Sequence, residues 1–385
     1  MSERKIKAWQ AAGLIDADTA DRIRAWESSH ARPIGLWAII GLGALTIGLG
    51  VISVVAANWD AIPGTARLAL HLAALLLIAA FTWWRLPRGG LIDPYSDALL
   101  FVTAVLGLTF FGHLGQVYQT SSPLWQPLLA WLVLFSPLLV LFGRGWPVAG
   151  LWMAGALGTA WSHAEDYGHI WRALGRTAPT HPALYWGLIA CPPMIVAAMA
   201  AILRDRSDRP VFWRLLEQMA IATIVAGLSI AILIGGWDRH GYPIGSAAIQ
   251  ALALLGAAAT IAHARRTASG RATAAVLAVA ALLHIGQALL LHGRGAAGGA
   301  WMPSLIFLAL WGTVAAAAIH ARWRRIFQAA VAIIALRIII LSFELNDDLL
   351  GSGVGLILSG LFAMAIAWVT VRISRRYAPV RGDAA

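Results

Sequence analysis

Apolar runs of about twenty residues recur from residue 34 to residue 372, each long enough to cross a hydrocarbon core as a helix. A segment in lipid must satisfy its backbone internally, so only α-helices and closed β-barrels can span. The runs are continuous rather than alternating, which excludes the barrel. Composition agrees: 59% of the 385 residues are apolar and 12% are charged, against roughly 25% charged in a soluble domain. The chain reads as an all-α polytopic integral membrane protein.

Twelve transmembrane helices are expected, at 34–57, 64–84, 95–115, 124–142, 146–162, 182–203, 212–235, 244–264, 272–291, 301–319, 326–343 and 351–372. With a cytoplasmic N-terminus, the inside segments hold 23 of the 29 basic residues. The outside segments hold Arg67, Arg172, Arg176, Arg239 and Arg294, and Arg337 lies within a span. This is the bias of the positive-inside rule, with both termini cytoplasmic. The formal charge of +11 is therefore a topology signal. It implies contact with anionic headgroups on the cytoplasmic side rather than with nucleic acid.

The start, "MSERKIKAWQ", has no short apolar region or cleavage site, so no cleaved signal peptide is expected. Residues 1–33 read as a cytoplasmic helical hairpin. Its first helix runs from Glu3 to Ala12 and stops at Gly13, and Asp16 caps the second. Packing or the docking of a protein partner suits this acidic hairpin better than DNA reading. The single cysteine, Cys191, excludes an internal disulfide, argues against a cysteine-based metal site, and reads as a small packing residue. No cofactor is expected.

One polar word occurs twice: "GHLGQVYQ", with His113, Gln116, Tyr118 and Gln119, and "HIGQ", with His284 and Gln287. Trp59-Asp60 and Trp237-Asp238 also recur, each followed by a proline (Pro63, Pro243) that opens the next helix. External acids follow both the fifth span (Glu165, Asp166) and the eleventh (Glu344, Asp347, Asp348). Features recurring in one order point to a tandem duplication. The domains would be a six-helix repeat at 34–203, a cytoplasmic linker at 204–211, a second six-helix repeat at 212–373 and a tail at 374–385. Six is even, so the repeats are parallel-oriented, with a pseudo-two-fold along the membrane normal. Aromatic and polar residues gathering at interfaces is the simpler alternative.

Polar groups at membrane depth are costly and suggest function. Asp60, His113, Asp238, His284 and Glu344 are candidates for proton coupling or gating. Arg67, Arg337, Gln116, Tyr118 and Gln287 are candidate binding residues. Histidine and glutamine near helix ends can equally tie helices together, and His71 reads as a packed, hydrogen-bonded histidine. Two readings fit Arg337. It pairs with Glu344, two turns on, with Asp347 or with an acid of another span, or it holds a carboxylate or phosphate. Glu217 reads as an i,i+3 partner of Arg214.

No nucleophile elbow, Walker sequence or H-E-x-x-H occurs, which favours a non-enzyme without deciding it. The elements "AAGLIDADTADRI", "GLGVISVVAANWDAIPGTAR" and "GHLGQVYQTSSPLWQPLLAWL" resemble a bacterial membrane-protein family, domain of unknown function 2157. The resemblance covers roughly residues 8–145, and "FELNDDLLGSGVGLILSGLFAMAIAWVTVRISRR" is similar to the family's last hairpin. It implies an inner-membrane location and brings no activity. The leading expectation is a secondary transporter or flippase-like protein for a small anionic or lipid-linked substrate, with a site between the repeats. One alternative is a membrane enzyme acting on a lipid-linked envelope substrate. Another is a structural or sensory subunit docking a partner through residues 1–33.

Overall fold

A computed structural model describes residues 9–29, 62–85, 94–120, 122–168, 183–235, 244–291, 301–344 and 353–377, with single positions 6, 42, 46, 50 and 53. Among the described residues every regular element is a helix: α1 (Ala17–Ser29), α2 (Gly64–Arg85), α3 (Pro94–Tyr118), α4 (Trp125–Phe142), α5 (Trp146–Glu165), α6 (Ala183–Ile189), α7 (Pro192–Leu203), α8 (Pro210–Gly235), α9 (Ile244–Ala264), α10 (Ala268–Leu291), α11 (Trp301–His320), α12 (Arg324–Glu344) and α13 (Gly353–Tyr377). Among the described residues nine segments are long and apolar enough to cross a membrane: Gly64–Trp84, Ser96–Tyr118, Trp125–Phe142, Ala183–Leu203, Pro210–Ile234, Ile244–Ala264, Ala268–Leu290, Met302–His320 and Arg324–Glu344. They correspond to nine of the twelve expected spans. Those at 146–162 and 351–372 are helical as α5 and α13 but fall outside the nine. The first, 34–57, lies almost wholly outside the described residues. Helices that span a membrane place this chain in contact with lipid.

The chain divides into two compact units, Met1–Ala69 and Leu70–Ala385. In the first, Gly13 has φ +68°, and the amides of Gly13 and Leu14 donate to the carbonyls of Gln10 and Trp9. That is a Schellman stop, which favours glycine at the left-handed position. The Asp16 carboxylate then accepts the Thr19 amide at 2.8 Å and caps α1. Hydrogen bonds from the Thr19 side chain and backbone hold the Asp16 carboxyl below the usual carboxylate range. The cap therefore contributes fully above the ordinary carboxylate pKa and is lost as pH falls through the lowered value. Hydrogen exchange across α1 is expected to accelerate on acidification, beyond the intrinsic change. D16N, which caps without titrating, removes that dependence.

In the second unit α8 is central, packing against α5, α7, α10 and α11. Leu216, Ala220, Ile224, Leu228 and Ile232 recur every fourth residue along it, all buried. On the α3–α4–α5 side small residues set the helix spacing, as is usual in lipid. Trp131 of α4 is fully buried, and a Cβ on Gly155 of α5 would overlap its indole. A Cβ on Gly107 of α3 would overlap the Phe135 ring of α4. The Trp131 Nε1–H donates to the Ala104 carbonyl of α3 at 2.8 Å. By contrast Leu70, Leu76, Leu77, Trp83 and Trp84 of α2 are exposed, as suits a lipid-facing helix.

The expected span at 182–203 is one apolar run but two helices, α6 and α7. Pro192 and Pro193 follow Cys191 and have no N–H to continue the ladder. Cys191 is buried there, its thiol donating to the Gly187 carbonyl at 3.2 Å. Elsewhere Asp97 accepts the Arg144 and Gly145 amides at 2.8 and 3.1 Å, tying α3 to the α4–α5 turn. Arg209 closes the same turn by donating to the carbonyls of Val140 and Gly143.

Candidate functional site

The "GQVYQ" element ends α3. Gln119 takes the left-handed conformation (φ 50°), and the Thr120 amide donates to the Gly115 carbonyl at 3.1 Å. This is the six-residue bond of a Schellman stop. The motif thus has a local job, terminating a helix, and it leaves Gln116 and Tyr118 exposed at the end of α3.

His113 lies one turn earlier, half-buried, with its Nδ1 3.2 Å from the Nδ1 of His71 on α2. The other ring nitrogen of His71, Nε2, stands 3.1 Å from the Leu106 carbonyl. A carbonyl only accepts, so His71 Nε2 carries a proton and its Nδ1 accepts from His113 Nδ1–H. Phe110 meets the His71 ring edge-on at 5.4 Å. With the bond between Thr82 and Thr103 at 3.1 Å, these contacts fasten α2 to α3. His71 is packed and hydrogen-bonded, as its sequence context suggests, and its partner is a candidate site residue.

The second copy of the polar word has different surroundings. His284 and Gln287 are both 3% exposed and sit among Leu277, Ala281 and Ala288 on the buried face of α10. The Gln287 amide donates to the Ile232 carbonyl of α8 at 3.1 Å. On the spacing of the two Trp-Asp pairs, His71 maps to Ile249, so the second copy has no equivalent histidine pair.

Arg67 folds back on its own turn, its Nε–H donating to the Ile62 carbonyl at 2.7 Å. Asp60 and Asp238 lie outside the described residues.

Arg337 has the most defined geometry. It is 7% exposed on α12, and its Nη1 and Nη2 donate to the two Glu344 oxygens at 2.9 and 2.7 Å. Nη2 also reaches Ser304 of α11 at 2.5 Å. Nε is buried with no hydrogen bond among the described residues. Two helical turns bring both side chains to one face, and the planar fork engages the carboxylate bidentately. Of the two readings of Arg337, the pairing is present.

Glu217 corrects one expectation. It does not meet Arg214. Its carboxylate, 1% exposed, is hydrogen-bonded by Arg265 from the end of α9 and approached by Arg204 at 3.4 Å from the end of α7. Glu217 adjoins the buried Leu216–Ala220 face, so its oxygens turn inward to neighbouring helices rather than along α8.

Residues 7–148 match the family described as Predicted membrane protein (DUF2157). This agrees with the resemblance carried by the Trp-Asp and G-Q-x-Y-Q elements. No curated protein and no solved structure matches the chain. The DUF2157 segment contains Asp60, Arg67, His113, Gln116 and Tyr118, whereas Asp238, His284, Gln287, Arg337 and Glu344 lie beyond it. The direct bonds unite His113 with His71 inside that segment and Arg337 with Glu344 outside it. Sequence reasoning missed the His71–His113 pair and the arginines around Glu217. Two histidines forty-two residues apart on successive spans were the available signal for the first.

Proposed function

We propose that this chain is an inner-membrane transporter or flippase-like protein for a small anionic or lipid-linked substrate. It would have twelve spans as two six-helix repeats and both termini in the cytoplasm. The observation that supports this reading is the buried Arg337 fork, engaged bidentately by a carboxylate of its own helix. A substrate carboxylate or phosphate presents the same pair of oxygens and competes with Glu344 for the guanidinium. Glu344 is then the resident counter-ion, and its protonation frees Arg337 for substrate. Ser304 keeps the guanidinium in place during the exchange.

The histidines fit a supporting role. Adding a proton at the shared Nδ1···Nδ1 contact leaves donor facing donor and parts His71 from His113, loosening α2 from α3. His284, Asp60 and Asp238 are further proton-coupling candidates, and Arg67, Gln116, Tyr118 and Gln287 further binding candidates.

The test is reconstitution in vesicles containing a fluorescent phosphatidylglycerol analogue, with leaflet exchange read by quenching from outside. Wild type is expected to move the analogue. R337K, which keeps the charge but loses the fork, is expected to lose most of that movement while eluting as folded protein. E344Q is expected to lose its dependence on pH. No movement above protein-free vesicles, or wild-type movement by R337K, overturns the reading.

A further inference from the structure

The ends of α7 and α9 and the first turns of α8 and α10 meet around one carboxylate. Arg265 donates to Glu217 through Nη1 and to the Ser269 hydroxyl through Nη2, the latter at 2.8 Å. Arg204 approaches the other Glu217 oxygen. Arg214, nearly one turn before Glu217, brings a third guanidinium, whose Nε is buried with no hydrogen bond among the described residues. Arg204 and Arg265 therefore share one carboxylate, and the positive charge of Arg214 acts on Arg204 with no ion pair to Glu217 among the described residues.

The acids nearby do not correct this imbalance. Asp205 is exposed and makes no ion pair with the three among the described residues. Asp208 faces Arg209 at 3.8 Å. Burial, followed by the charges of Arg265 and Arg214, pushes Arg204 below its ordinary pKa despite the pull of Glu217. Partly buried charges without counter-ions are costly, and a bound anion would offset that cost. The Thr267 and Ser269 hydroxyls bond to each other at 3.0 Å beside Arg265, which leaves one O–H as a donor of the kind that phosphate oxygens accept.

Basic pockets between spans at the cytoplasmic face hold phosphate-bearing headgroups, and the positive-inside pattern assigns this end of the bundle to the cytoplasm. We infer that Arg204, Arg214 and Arg265, with Glu217 as their internal spacer, form a binding site for a phosphate-bearing group. Its source is an anionic phospholipid headgroup or free phosphate. The site stands apart from Arg337 and does not depend on what, if anything, the protein transports.

The test uses the purified full chain in nonionic detergent. Its only cysteine, the buried Cys191, reacts with a thiol-activated dye on unfolding. Phosphatidic acid is expected to raise the thermal midpoint, and phosphatidylcholine is not. R214Q and R204Q are each expected to need about fivefold more phosphatidic acid for the same shift, the share of one arginine at such a surface. R266Q, an exposed neighbour, is expected to behave as wild type. A shift with phosphatidic acid but not inorganic phosphate assigns the site to a headgroup, and a shift with both assigns it to free phosphate. Wild-type response in R214Q and R204Q, or an equal loss in R266Q, overturns the inference. Native mass spectrometry of wild type is the second measurement. Retention of phosphatidic acid no better than phosphatidylcholine, with no phosphate adduct, also overturns it.

Discussion

Replacing Glu217 with alanine is expected to destabilise the bundle by about 3–5 kcal/mol, the usual cost of removing one partner from a buried ion pair. The carboxylate is 1% exposed, while Arg265 and Arg204 keep only 11% and 18% of their side-chain surface. Without Glu217 these arginines have lost their counter-ion and gained no water to replace it. The Cys191 thiol assay should show a lower thermal midpoint. Replacing Glu217 and Arg265 together by methionine should recover part of the loss, because an apolar pair carries no desolvation cost. A single-site loss under about 1 kcal/mol, the value of an exposed pair, would show that Glu217 is solvated.

The second large effect is expected at Trp131. Its indole is fully buried between α3 and α5, stacks on Phe135 with centroids 6.0 Å apart and bonds to the Ala104 carbonyl. Trp131→Ala empties the space that Gly155 leaves open on the facing helix. The expected loss is about 3 kcal/mol, the low end of the Trp→Ala range. Lipid is itself apolar, so lost packing contributes more here than lost hydrophobic transfer. Trp131→Phe, which gives up the hydrogen bond but fills most of the volume, should cost clearly less. Both variants are read by the same thiol assay.

Local features were legible because local chemistry fixes them. Gly13 ends a helix because left-handed backbone favours glycine, and Asp16 caps the next because a short carboxylate reaches back to a free amide. Nine of the expected spans correspond to apolar helices for the same reason: backbone in lipid must bond to itself. The Arg337–Glu344 pairing was legible as one of several alternatives, since seven residues along a helix return to one face. The double proline that splits 182–203 was also in plain view, although an apolar run hides the break from hydropathy.

Partners drawn from different helices were not legible. Glu217 has Arg214 three residues away and yet bonds to Arg265, forty-eight residues on. The two polar words share H-x-G-Q, but one ends an exposed helix tip and the other lies in a packed face. The sequence alone determined an all-α membrane protein, its apolar segments, the Gly13 stop and the Asp16 cap, and put Glu344 on the same face as Arg337 without choosing it as the partner. Only the tertiary structure decided which side chains face inward, and so set His71 against His113, Trp131 against Gly155, and Arg204 and Arg265 against Glu217. The physical reason is that helix periodicity fixes direction within one helix, whereas rotation and neighbour choice are set by packing between helices.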